Sequence, residues 1–175
     1  APFRLAEIDI RDEEYAALVA RHEAATPFHL PAWIAVIASS YGFAASVLCL
    51  RDEDGSIRAA SPGLHVGGRL RGRRWVSVPF TDACAPLADD AAAADAFAAA
   101  LDRHRRESGL KTIEIRGELS GNAGTRHGVG YRHVIPLAVP EEAVFRRLSK
   151  RTRHAVKRAR REGLVFALLF IELDR

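Results

Sequence analysis

Between Asp12 and Ala25 the apolar side chains Tyr15, Leu18 and Val19 recur at helical spacing, with acidic residues just ahead of them. That pattern predicts an amphipathic helix whose first turn suits the helix dipole. TPFHLPAWIAVIASSYG (26–42) predicts a second helix, with Pro31 in the first turn, Trp33, Ile34 and Ile37 on one face, and Gly42 as the stop. ASVLCLR and SIRAASPGLHV flank DEDG (52–55), whose Asp-Gly pair is hairpin-turn chemistry. The polar connection RLRGRR (69–74) leads into WVSVPF (75–80), read as a strand, and TDACAPLADD (81–90), read as a loop.

The Ala-rich segment 91–107 predicts a helix capped by Asp89 or Asp90 and ended by Gly109. KTIEIRG (111–117) and YRHVIPLAV (131–139) read as strands, separated by the glycine-rich, irregular 117–130. Glu141 and Glu142 open a last helical region, and the apolar run VFALLFI (165–171) reads as the start of a strand. Helices interleaved with strands, and at least one hairpin, predict an α/β fold. The expected architecture is a mixed, partly antiparallel sheet covered by helices, in three layers.

Composition sharpens this picture in one place. The formal net charge is +4, yet residues 146–161, RRLSKRTRHAVKRARR, carry nine Lys and Arg and no acidic residue, so the rest of the chain is net acidic. The protein is an acidic body with one basic element. Cys49 and Cys84 lie in no zinc-binding spacing, and free thiols fit a reducing cytoplasm. The seven residues 165–171 fall far below the roughly 20 a membrane-spanning helix needs, so no transmembrane segment is expected. Abundant Ala and Arg fit a bacterial genome rich in G and C.

On one continuous helix, Leu148, Thr152, Ala155, Val156 and Ala159 form a narrow seam. Like-charge pairs four apart, such as Arg153 with Lys157 and Lys157 with Arg161, disfavour that helix alone in water. An anionic counterpart is expected. It is acidic protein surface (Asp52, Glu53, Asp54, Asp89 and Asp90, or another domain), a polyphosphate backbone such as tRNA, or the phosphates of a small acyl or sugar carrier. The contacts named on this basis are Lys150, Arg151, Arg153, Lys157 and Arg158.

Other chemistry is sparser. RHGVG (126–130) has the glycines of a phosphate loop but leads into a strand, so it reads as a turn. Asp82, in the loop after a strand, and Phe80, at that strand's end, form a candidate loop site where functional groups often gather. Cys84, with no neighbouring His to activate it, reads as a small buried residue. His29, His65, His127 and His133 follow no ligand spacing and read as structural, while Trp33 and Trp75 read as core.

Several short elements occur together in a telling order. Pro27, Phe28, Pro31 and Trp33 come first; Val78, Pro79 and Phe80 end a strand; Pro86, Leu87 and Asp90 close the following loop. Leu148, Ser149, Lys150, Arg153, Lys157, Arg158, Ala159, Gly163 and Leu164 mark the basic element. Across residues 26–164 this order resembles FemAB-like proteins of the GNAT-like acyltransferase superfamily. The resemblance implies two lobes: residues 1–140 as the N-terminal GNAT-like lobe, and 141–175 as the basic helix and first strand of a second, largely missing one. It implies transfer of an acyl or aminoacyl group to an amine, as in the building of cell-wall precursors, with acyl-CoA or aminoacyl-tRNA as donor, no tightly bound cofactor and no covalent enzyme intermediate. Completion by a second lobe or by a homodimer partner is the matching expectation, and no catalytic residue is assigned. A non-catalytic nucleic-acid-binding module, or a structural lobe docking a partner domain, are the competing readings.

Overall fold

The computed structural model describes residues 3–67, 72–121, 124–128 and 138–165. These form two compact units, Ala1–Arg126 and His127–Arg175.

The first unit runs β1 (Arg4–Ile8), α1 (Glu13–Arg21), a 3-10 turn (Pro27–His29), α2 (Pro31–Tyr41), β2 (Ala44–Arg51), β3 (Ile57–Val66), β4 (Arg74–Val76), β5 (Leu87–Ala88), α3 (Ala91–Glu107) and β6 (Thr112–Glu114). The sheet order is β1-β2-β3-β4-β6, with β5 also paired to β3. Every pairing is antiparallel except β4 with β6, which is parallel. Helix signals hold locally: Asp12 accepts from the N–H groups of Glu14 and Tyr15, Asp90 from that of Ala93, and Gly42 ends α2 at φ 65°.

Strand alternation divides the core into two layers. Val47, Cys49, Ala60 and Leu64 pack with Tyr15, Leu18, Ile34 and Ile37 of α1 and α2. Leu48, Leu50, Ala59 and Trp75 pack with Phe97 and Leu101 of α3. The three-layer α/β expectation therefore holds. A register shift opposite Leu50 and Arg51 returns Ile57 to the α1 side, and the intervening Arg58 pairs with Asp89 and Asp90. Asp89 also binds Arg21 at 3.0 Å, so both carboxylates already have partners in their own unit.

The structure corrects several sequence expectations. β1 carries no sequence signal: it is a five-residue edge strand with side chains packed on both faces, Leu5 toward α3 and Ala6 and Ile8 toward α1 and α2, so it lacks the alternation that marks a half-buried strand. The 75–80 strand ends at Val76, because Val78 and Phe80 turn to φ 28° and 67°. Leu87–Ala88, inside the expected loop, pairs with β3 instead. Trp75 is core, but Trp33 is 37% exposed: Ile34 and Ile37 take the buried face of α2.

The second unit contains α4 (Glu141–Arg147) and α5 (Lys150–Arg161), so the basic window is two helices. The chain breaks at Leu148 and Ser149, both extended, because the Ser149 hydroxyl caps α5 by accepting from the Thr152 N–H. Of the expected seam, Leu148, Val156 and Ala159 are half-buried, whereas Thr152 and Ala155 are exposed. The expected strands at 131–139 and 165–171 lie almost wholly outside the described residues.

Candidate functional site

In the first unit the parallel pair β4 and β6 leads, at its C-terminal ends, into the loop 78–84. The last ladder bond runs from the Ser77 N–H to Glu114 O at 2.8 Å. Beyond it the Ser77 hydroxyl accepts from the Arg116 N–H at 2.8 Å and donates to Cys84 O at 3.3 Å. The Cys84 N–H closes the ring on Arg116 O at 2.5 Å. A small polar side chain at a strand end thus replaces the missing ladder and pins the loop 78–84 at both ends.

Inside that loop Val78 is fully buried and Phe80 is 60% exposed, both at positive φ. A β-branched residue there is a genuine outlier, costing on the order of 1–3 kcal/mol. The Thr81 hydroxyl donates to Val78 O at 2.7 Å, and Arg116 Nη1 donates to Thr81 O at 3.1 Å, bracing the turn. The Phe80 ring stacks on Tyr41 with centroids 4.4 Å apart, and Tyr41 stacks in turn on Phe43. Asp82, two residues on, is exposed and has no ion pair or hydrogen bond with the described residues.

His29 holds the far side of the loop. Its Nε2 faces Ala85 O at 2.9 Å and must donate, so Nδ1 accepts from the Thr26 N–H at 3.0 Å. Burial lowers its pKa and keeps this neutral tautomer. Opposite, a Cβ at Gly117 would meet Ala85 Cα at 2.6 Å, which explains a glycine there. Burial pushes the Cys84 thiol up to about 12 and the Cys49 thiol up to about 11, so neither is a nucleophile at neutral pH.

Strand-then-loop order in the sequence places Phe80 and Asp82 on this loop. It does not reach Ser77, Tyr41, Thr81 and Arg116, which no motif marks; the one local hint is a serine inside an otherwise apolar strand.

The other named residues, Lys150, Arg151, Arg153, Lys157 and Arg158, all lie on α5 in the second unit. The half-buried Arg153 donates through Nη1 to the carbonyls of Arg146 (3.0 Å) and Leu148, at the end of α4. Arg160 binds Glu141 at 2.8 Å, and Arg158 binds Glu162 at 2.6 Å. No cluster of three or more metal-ligating side chains occurs among the described residues, and none of their helices is long and apolar enough to cross a membrane.

No family model matches the chain, and neither does any curated protein. Among solved structures it is similar to a Trypanosoma brucei acetyltransferase at 16% identity, with a TM-score of 0.40, over 76% of this chain and 99% of that one. It is also similar to glucosamine-6-phosphate N-acetyltransferase from Arabidopsis thaliana at 12% identity, with a TM-score of 0.37, over 78% and 100% of the two chains. Likeness at this level leaves the function to be argued from the chain's own residues.

Proposed function

We propose that this chain is a lobe of an acyltransferase, moving an acyl or aminoacyl group from a carrier to an amine. The observation that carries the reading is the loop 78–84, braced on Ser77 and Arg116 at the C-terminal ends of β4 and β6, with Phe80 strained into the left-handed region beside the exposed Asp82. The FemAB-like and GNAT-like order of sequence elements across residues 26–164 supports it.

In such a transfer the amine nitrogen attacks the acyl carbonyl, the bond to the carrier sulfur or oxygen breaks, and the carrier leaves with a proton. The protein must position the amine, accept its proton and stabilise the oxyanion. Asp82 offers a carboxylate that accepts a hydrogen bond from the neutral acceptor amine and orients its lone pair, and Phe80 offers an apolar wall. Acyl-CoA and aminoacyl-tRNA are the two donor classes. In this reading a second lobe, or a second copy of the chain, completes the site.

The test is transfer to amine acceptors with acetyl-CoA and aminoacyl-tRNA offered separately. Asp82→Asn and Phe80→Ala should each slow transfer about 10- to 100-fold by misplacing the acceptor, with Tm unchanged in Asp82→Asn and slightly lowered in Phe80→Ala by loss of the stack on Tyr41. Wild-type rates in both variants would sink the assignment.

A further inference from the structure

The α4–α5 hairpin sorts its cations by direction. Arg153 and Arg160 reach α4, and Val156 and Ala159 are half-buried on the same side of α5. Lys150, Arg151, His154, Lys157, Arg158 and Arg161 are all exposed, and at about 100° per residue they fall within one third of the helix circumference. They form a stripe about 16 Å long with cations on each of three successive turns. Among the described residues no carboxylate pairs with Lys150, Arg151, Lys157 or Arg161; in this stripe only Arg158 is paired, to Glu162.

This arrangement costs the helix stability. Lys150 and Arg151 occupy the first turn, where the dipole disfavours cations by about 0.3–1 kcal/mol each, and no acidic residue offsets them. Lys157 and Arg161 repel at four-residue spacing. The same placement is favourable for an anion. The first-turn N–H groups of α5, of which that of Thr152 is used by the Ser149 cap, lie at the same end of the helix as Lys150 and Arg151.

We infer that this face of α5 binds the phosphodiester backbone of a nucleic acid. A row of phosphates matches a row of cations repeating along one helix face, whereas a single diphosphate would use one end of it. Membrane insertion fits poorly, since the largest apolar side chain of α5 is Val156, on the opposite side. The inference deepens the proposed function by giving α5 a ligand, yet binding is measurable whether or not acyl transfer occurs.

The experiment is fluorescence anisotropy of labelled oligouridine and oligothymidine of equal length with the whole chain, across a range of salt. Polyglutamate serves as competitor, and vesicles of phosphatidylcholine with phosphatidylserine as a separate ligand. Four unpaired cations predict a slope of log affinity against log salt of about −3. Lys157→Ala and Arg161→Ala should each flatten it by about 0.7, while Arg160→Ala leaves it unchanged. Equal binding to both oligonucleotides assigns the contact to the backbone alone, and preference for RNA adds the 2′-hydroxyl. The inference is overturned if neither oligonucleotide binds at low salt, if polyglutamate competes as well as they do, if vesicles bind and oligonucleotides do not, or if Arg160→Ala weakens binding as much as Lys157→Ala. Loss of binding with transfer intact would remove the role of α5, and binding without transfer would remove the acyltransferase reading alone.

Discussion

Glu7 puts a carboxylate in the middle of a strand, on the face that packs against α3. It stays ionised because His65 Nε2 donates to it at 2.5 Å, with Ser46 beside it and His104 Nε2 3.8 Å away. The hydrogen bond from His65 is the main cause, and burial opposes it; together they bring the Glu7 pKa down to about 2. A folded-state pKa below the unfolded value means this stabilisation is complete above about pH 4.5 and is lost as pH falls toward 2. Glu7→Gln should therefore lower Tm clearly at pH 7 and much less at pH 3. Thermal melts at the two pH values check this, and an equal penalty at both would contradict it.

At the scale of elements, close packing between β3 and β4 turns on one glycine. A Cβ on Gly63 would lie 2.4 Å from the Trp75 ring, whose indole N–H donates to the Ser46 hydroxyl at 3.0 Å. Gly63→Ala should cost about 1–3 kcal/mol by displacing that ring, read from denaturant unfolding together with tryptophan fluorescence. The elements whose residues repeat at a clear period are legible in the sequence alone: α1 from Tyr15, Leu18 and Val19, α3 from its alanines, β2 and β3 from their apolar runs around an Asp-Gly turn. β1 and β5 are not, because a short strand covered on both faces has no period to read. The sequence overruns the end of β4 because Val78 and Phe80 favour strands, and tertiary bracing by Thr81 and Arg116 overrides that preference. The basic window reads as one helix because its charge hides the capping signal of Ser149. The same distinction governs the site: Phe80 and Asp82 follow from strand-then-loop order, whereas Ser77, Tyr41 and Arg116 matter only through contacts made across the fold.

For the whole molecule, burial and charge are unequally shared. Both buried core clusters are built from residues of the first unit, while α4 and α5 contain no buried residue. A helix of 12 residues carrying mutual repulsion and little packing is marginal in water. Its backbone amides should open far more readily than those of β2 and β3, which lie inside the sheet. Hydrogen exchange followed by mass spectrometry should show α5 exchanging orders of magnitude faster than β2 and β3. Raising salt screens like charges and should slow α5 without affecting the sheet. An oligonucleotide at low salt should slow it further, because a ligand that binds only the folded helix stabilises it by mass action. If α5 is as protected as β2 in the free chain, then packing and not an anion holds it, and its cations lose their claim to a ligand.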